Sequence, residues 1–141
     1  MKDRFVHKQL QFCRSFKKKL NEKLSVAELY YSQWLVLYCI KHMQPVTLVE
    51  IGNYLAVEKP TISRTVKRLE EQGLIKEIPS QDKRERRVCL TDVGEERYGQ
   101  GQKIVFQFEA ELLTDISQKD LDTTMRTIQH LQEKLKKGEI D

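Results

Sequence analysis

The sequence predicts a mainly α-helical protein with one small β-hairpin, and three observations support this prediction. Apolar residues recur at intervals of three and four over most of the 141 positions, which is the spacing of amphipathic helices. Near the middle, residues 74–90 hold two short apolar runs separated by polar residues, which is typical of a hairpin. Capping residues at positions 47, 60 and 73 mark where helices begin and end.

The first two predicted helices cover residues 3–24 and 32–42. The first carries three lysines opposite an apolar stripe that consists of Phe5, Phe12, Phe16 and Leu20, with Leu10 and Cys13 beside it. Ser32 is the residue type that commonly caps a helix, and we expect it to be the N-cap of the second helix.

The next two helices form a predicted helix-turn-helix. Thr47 and Glu50 match a capping box, which starts a helix that ends near Leu55. After a short turn, Pro60 occupies the first position of the following helix, where its missing N–H costs nothing. Gly73 is a natural residue to end that helix. Two helices joined by so short a turn form a helix-turn-helix.

The hairpin follows directly. Residues 74–78 and 87–90 predict its two strands, and the polar residues 80–86 between them predict a long tip. A β-hairpin that projects next to a helix-turn-helix is a wing. The predicted fold is therefore a winged helix-turn-helix.

Two further helices complete the chain. Thr91 caps a long helix that we expect to continue to Ile116, and its beginning is weakened by three glycines, Gly94, Gly99 and Gly101. Ser117 starts the last helix, whose apolar stripe is Leu121, Met125, Ile128, Leu131 and Leu135. Because the stripes at the two ends of the chain have no core of their own, we expect them to pack on each other and on a second copy.

Three regions follow from this order. Residues 1–31 are expected to form an N-terminal dimerisation helix with its connection. Residues 32–91 form the winged helix-turn-helix, which we expect to bind DNA. Residues 92–141 form the C-terminal dimerisation helices.

The net charge of +4 is unevenly distributed. Residues 1–23 carry eight basic against two acidic side chains, residues 58–90 nine against six, and residues 91–141 seven against eleven. Basic patches indicate a polyanionic partner. For residues 1–23 a solvated helix face is an equally good explanation.

Several classes of protein are disfavoured. The sequence has no Gly-rich phosphate loop, no nucleophile elbow and no paired-His motif, so we expect no enzyme activity and no cofactor. Its three cysteines and three histidines lack the spacing of a metal site or a disulfide framework. No segment is long and apolar enough for a membrane span, and no signal peptide is evident, so we expect a cytoplasmic protein.

The helix at residues 60–72 is the predicted recognition helix. Ile62, Val66 and Leu69 fall on one face, and hydroxyls and cations fall on the other. Such groups bond phosphates and base edges in a major groove. The candidate DNA contacts are Pro60, Thr61, Ser63, Arg64, Lys67 and Arg68. The alternative is an ordinary solvated helix face.

The wing is the second candidate contact. Its cations are Lys83, Arg84, Arg86 and Arg87, and Asp82 is placed to hold Arg84 by an ion pair. A projecting tip with this charge can enter a minor groove, where arginine is favoured. The alternative is a flexible charged turn.

Four motifs in this order resemble the MarR (multiple antibiotic resistance regulator) family. They are EIG at residues 50–52, PTISR at 60–64, LEEQGLI at 69–75 and DKRERRVCLTDVG at 82–94. The resemblance implies a triangular homodimer whose first, fifth and sixth helices interlace, and a palindromic operator. It also implies that Arg84 is the wing arginine of the minor groove and Asp82 its partner. Tyr30 departs from the pattern, since it stands where Ser or Thr commonly caps the second helix.

Two other sites are possible. Cys13 lies near the position of the peroxide-sensing cysteine in some relatives, although Lys17 replaces the tyrosine that contributes there. The alternative is that Cys13 is a buried small apolar residue.

An aromatic effector pocket is the second candidate site, and its candidate residues are Phe16, Tyr30, Tyr31, Trp34 and Tyr38. The alternative is that these rings pack the junction between the dimerisation arm and the winged module.

We therefore expect a sequence-specific transcriptional regulator, a repressor that binds double-stranded DNA as a homodimer and is released by a small aromatic effector. The alternatives are a winged-helix protein–protein adaptor and a thiol-based redox regulator that acts through Cys13. An adaptor has no need of arginines at a projecting tip, and its binding would lack the steep salt dependence of a phosphate-binding protein.

Overall fold

The computed structural model describes residues 4–79, 82 and 85–138. Six α-helices and one three-stranded sheet are found in this part of the chain. The helices are α1 (Phe5–Leu24), α2 (Tyr31–Met43), α3 (Leu48–Leu55), α4 (Lys59–Glu71), α5 (Asp92–Leu112) and α6 (Gln118–Lys136). The strands are β1 (Val46–Thr47), β2 (Ile75–Ile78) and β3 (Arg87–Leu90). The predicted order of helices and hairpin is confirmed.

The start of α2 differs from the prediction. The helix begins at Tyr31, with Tyr30 in the N-cap position, so the assignment of Ser32 as N-cap is wrong. The backbone N–H of Tyr31 donates instead to Oδ1 of Asn21, at 2.7 Å, and Asn21 belongs to α1. A side chain ten residues upstream therefore satisfies a free N–H of the first turn, which joins α1 to α2.

The two helices of the helix-turn-helix begin and end close to their predicted residues. Oγ1 of Thr47 accepts from the N–H of Glu50 at 3.1 Å, and the Glu50 carboxylate accepts from the N–H of Thr47 at 3.2 Å. This is the predicted capping box. Pro60 is the second residue of α4 instead of the first, and Gly73 has the left-handed φ of 76° that favours glycine after a helix.

The sheet is antiparallel, in the order β1–β3–β2. Val88 lies opposite Val46 of β1, and Leu90 lies opposite Ile75 of β2. These four side chains are buried, so one face of the sheet closes the core beside α2 and α4. The sequence analysis missed β1, because a strand of two residues is too short to show alternation.

The chain divides into two units, residues 1–108 and residues 109–141. The buried apolar side chains all belong to the first unit; the largest of them are Leu20, Leu24, Leu37, Ile40, Ile51, Ile62, Leu69 and Leu74. In the second unit, α6 begins at Ser117 as predicted, because Ser117 Oγ accepts from the N–H of Asp120. No side chain of α6 is buried within the described chain.

Helix α5 packs closely through its glycines. Thr91 caps the helix as predicted, its Oγ1 accepting from the N–H of Gly94 at 3.0 Å. A Cβ built on Gly94 would lie 1.9 Å from the carbonyl oxygen of Leu74, and one built on Gly101 would lie 2.5 Å from Cδ1 of Trp34. These two glycines therefore permit close packing, a role that the sequence analysis did not foresee. The helix ends at Leu112, before the predicted Ile116.

Candidate DNA interface

Helix α4 presents two chemically different faces. Ile62, Val66 and Leu69 are at most 2% exposed and hold its inner face on the core. The predicted contact residues lie on the other side of the helix. Pro60, Thr61, Arg64, Lys67 and Arg68 are exposed and Ser63 is half-buried. The guanidinium of Arg64 donates to Oγ1 of Thr61 at 3.4 Å, so these two side chains lie together.

Two hollows border the outer face of α4. One, of about 560 Å³, lies between the first turns of α3 and α4 and the end of the wing, and is lined by Thr47, Leu48, Val49, Glu50, Lys59, Ser63, Glu85, Arg86 and Arg87. The other, of about 540 Å³, is open and is lined by Ser63, Lys67, Glu70, Glu71 and Arg86. Both hollows are lined by Ser63 and Arg86, so they lie next to each other on the side of α4 that faces the end of the wing.

Arg86 has two carboxylate partners in the chain. Its Nε donates to Glu77 of β2 at 3.1 Å, and its terminal nitrogen donates to Glu70 of α4. Partial burial alone would lower the pKa of Arg86, but the hydrogen bonds and charges of Glu77 and Glu70 outweigh it, so the pKa is raised above its usual value. Arg86 therefore ties the end of the wing to the recognition helix.

Arg87 has partners on the other side of the wing. Its guanidinium lies 3.7 Å from the Glu50 carboxylate of α3 and 3.2 Å from that of Glu85. It also donates to the carbonyl oxygen of Pro45 at 3.5 Å. The pKa of Glu50 is lowered, first by the Thr47 hydroxyl and N–H that bond its carboxylate and then by the charge of Arg87.

The tip of the wing is described only in part. Lys83 and Arg84 lie outside the described residues, and so does the predicted ion pair between Asp82 and Arg84. Asp82 is exposed, and its carbonyl oxygen accepts from the N–H of Glu85 at 3.1 Å.

The candidate effector residues form a row of packed rings, with Tyr30 as the exception. Phe16 contacts Tyr31 at 6.3 Å between ring centroids, Tyr31 contacts Trp34 at 6.4 Å, and Trp34 contacts Tyr38 at 5.5 Å. Tyr30 is 58% exposed. Two members of the row come from α5 and were missed by the sequence analysis, because only tertiary structure brings them here. Tyr98 stacks on Trp34 and Phe108 stacks on Phe16.

The three cysteines have different surroundings. Cys39 is buried, and burial raises the pKa of its thiol to about 11. Cys13 is half-buried on α1 and Cys89 is half-buried on β3.

Among the described residues there is no group of three or more His, Cys, Asp or Glu side chains that could hold a metal ion. None of the described helices is long and apolar enough to cross a membrane.

Comparison with known proteins identifies the family. The profile of the MarR family matches residues 29–86, which begin just before α2 and end just before β3. A Bacillus subtilis protein, the uncharacterized HTH-type transcriptional regulator YwoH, is 44% identical over 115 residues, 82% of this chain and 84% of the relative. The chain belongs to the MarR family. It is a winged-helix, DNA-binding transcriptional regulator and not an enzyme, as the sequence predicted.

Solved MarR structures have the same fold. Staphylococcus aureus MarR in complex with salicylate and kanamycin is 34% identical with a TM-score of 0.84, and the match covers 94% of this chain and 91% of that one. A mutant of Escherichia coli MarR complexed with operator DNA is 26% identical with a TM-score of 0.80, and the match covers 89% and 92%. The predicted fold class is therefore confirmed across most of the chain.

Proposed function

We propose that this protein is a cytoplasmic repressor that binds a palindromic operator as a homodimer, with α4 in the major groove and the wing in a minor groove. The outer face of α4 carries the proposal. Four exposed cations there have no ion pair with any described residue: Lys59, Arg64, Lys67 and Arg68. Unpaired cations beside hydroxyl groups are what a helix needs to bind phosphates and base edges.

The direct contacts are divided between the helix and the tip of the wing. We assign base and phosphate contacts on α4 to Pro60, Thr61, Ser63, Arg64, Lys67 and Arg68. In the wing we assign them to Lys83 and Arg84, with Arg84 in the minor groove and Asp82 as the ion-pair partner that holds it. Arg86 and Arg87 already have carboxylate partners in the chain, so they are poorer candidates for direct contacts than the sequence analysis supposed.

Exposed apolar side chains support a homodimer. On α1, Phe5 is 49% and Phe12 56% exposed, and on α6, Leu135 is 73% exposed. Exposed apolar side chains on a helix, here on α1 and separately on α6, are typical of a surface that another protein covers. We propose that Phe5, Phe12, Phe16, Leu121, Ile128 and Leu135 lie at the interface. Light scattering at micromolar concentration should give twice the mass of the chain, and a monomer mass would contradict the proposal.

The operator and the mode of binding are tested together. DNA fragments selected by the purified protein from a random pool should share an inverted repeat. Binding to a selected duplex should weaken steeply with salt, by about 0.9 in log affinity per log salt for each phosphate contact. An adaptor without DNA binding would select no common sequence and would show no such slope.

We also propose that a small aromatic effector releases the DNA. Support comes from the S. aureus MarR structure with salicylate and from the row of rings around Trp34, which is the single tryptophan of the chain. Salicylate should weaken the operator complex and change Trp34 fluorescence at the same concentration. Release without any fluorescence change would place the effector elsewhere.

A further inference from the structure

We propose that Arg86 is a positioning residue, which holds the end of the wing against the recognition helix and does not itself contact DNA. This inference rests on the proposed function, because it concerns how the wing is held for the groove. It reverses the expectation from sequence, where Arg86 was counted among the cations of the wing.

Arg86 lies where the wing meets the recognition helix. It is the last residue before β3, and its guanidinium bridges Glu77 of β2 and Glu70 of α4. One side chain therefore connects the recognition helix with both strands of the wing. The Glu70 side chain is 25% exposed and that of Arg86 is 37% exposed, so the pair is screened less than most surface ion pairs.

The cluster around Arg86 has an excess of negative charge. One arginine and two carboxylates give a net charge of −1, so a phosphate that approached Arg86 would meet two carboxylates already bonded to it. Arg87 is in the same situation on the opposite side of the wing, between Glu50 and Glu85. Neither arginine attracts a polyanion as an unpaired cation on α4 does.

The hairpin has short strands and a long tip. The two strands have four residues each, and eight residues, 79–86, lie between them. Pairing with β1 and burial of Ile75, Val88 and Leu90 already hold the strands on the core, so the ion pairs of Arg86 act on the end of the hairpin from which the tip extends. Fixing its position before binding removes part of the ordering cost that the DNA contacts would otherwise have to offset.

Two matched substitutions distinguish positioning from contact, because they have opposite expected effects. Glu71→Gln removes a negative charge from the exposed side of α4, where Glu71 has no ion pair with any described residue and borders the same hollow as Glu70. It should leave operator affinity unchanged or tighten it by up to about threefold. Glu70→Gln removes the same charge but also releases Arg86, and it should weaken binding about fivefold.

Two further measurements complete the test. Hydrogen exchange of residues 75–90 in the free protein should become faster in Glu70→Gln and in Arg86→Gln, and stay as in wild type in Glu71→Gln. Arg86→Gln should weaken binding without changing the salt slope, whereas Lys67→Gln should reduce the slope by about 0.9 for each phosphate that Lys67 neutralises in the wild-type complex.

The inference and the proposed function can fail separately. If Glu70→Gln tightens binding as Glu71→Gln does, with unchanged exchange, Arg86 is a DNA contact that Glu70 restrains, and the inference is overturned. If wild type shows no salt-dependent binding, the proposed function fails, and with it the DNA role of Arg86. The exchange measurement still shows in that case whether the ion pairs hold the wing.

Discussion

Replacing Gly94 with alanine should destabilise the protein, although alanine favours helices. The added Cβ would lie 1.9 Å from the carbonyl oxygen of Leu74, and this neighbour is backbone, which cannot rotate away. The start of α5 and the start of β2 must therefore separate by roughly 1.5 Å before the contact becomes tolerable. That separation also strains the bond from the N–H of Thr91 to the same oxygen, which is 3.1 Å long.

The expected destabilisation has three contributions. Overpacking typically costs about 1–3 kcal/mol, and loss of the Thr91 hydrogen bond costs about 1 kcal/mol. The better helix propensity of alanine returns about 1 kcal/mol. We therefore expect Gly94→Ala to lower the free energy of unfolding by about 1–3 kcal/mol.

Gly99 provides the matched control in the same helix. A Cβ built on Gly99 has nothing within 4 Å, so Gly99→Ala should raise the free energy of unfolding by about 0.5–1 kcal/mol. Urea denaturation followed by circular dichroism, at one protein concentration, measures both variants. If Gly94→Ala proves as stable as Gly99→Ala, the close contact between α5 and Leu74 does not exist in solution and the packing argument is wrong.

Three other predictions concern the DNA contacts, the thiol and the helix cap. Arg64→Ala should cost about 1–3 kcal/mol of binding free energy on the operator and relax preference at one base position per half-site. Arg84→Ala should weaken binding to operator and random DNA alike, unless the operator has a narrow A·T-rich groove there. Binding of both variants to both duplexes at one salt concentration decides this, and equal losses on the two duplexes for Arg64→Ala would make Arg64 a phosphate contact. Cys13→Ser should leave DNA binding unchanged under mild peroxide, as in wild type; peroxide-dependent loss in wild type that a thiol reductant reverses would show that Cys13 is a redox switch. Because the pKa of Glu50 is lowered in the folded state, its charge contributes stability above the pKa of the unfolded chain, and this contribution is lost as pH falls through the folded pKa. The free energies of unfolding of wild type and Glu50→Gln should therefore differ at neutral pH and converge in acid. A difference that does not change with pH would show that the charge of Glu50 does not stabilise the cap.

Local signals explain which parts of the fold the sequence predicts well. The capping box of Thr47 and Glu50 lies within four residues, and Gly73 acts on the helix directly before it. These signals need no knowledge of the rest of the chain, so the bounds of α3 and α4 are predicted to within a residue. The start of α2 is different. Gln33 Oε1 accepts from the N–H of Tyr30, but the N–H of Tyr31 is bonded by Asn21 on another helix, and Ser32 is only a plausible capping residue at a nearby position.

The close contacts of α5 could not be predicted for the same reason. Gly94 and Gly101 weaken a helix when only propensity is considered. Their partners, Leu74 and Trp34, lie 20 and 67 residues earlier in the chain, as the residue numbers show. A pattern of local spacing has no information about such contacts, so the sequence indicates the cost of these glycines and not the packing that offsets it.

The charge of the DNA-binding face shows how pairing changes an interpretation based on composition. Three of the six acidic residues within residues 58–90, namely Glu70, Glu77 and Glu85, pair with Arg86 and Arg87. The cations of α4 have no ion pair with any described residue, so their charge remains available to a polyanion. The net charge of this segment therefore understates the attraction of α4 for DNA. It overstates the attraction of the part of the wing that holds Arg86 and Arg87. The carboxylates at that end of the wing are best understood as part of what holds the hairpin, since an interface built only for attraction would have no use for them.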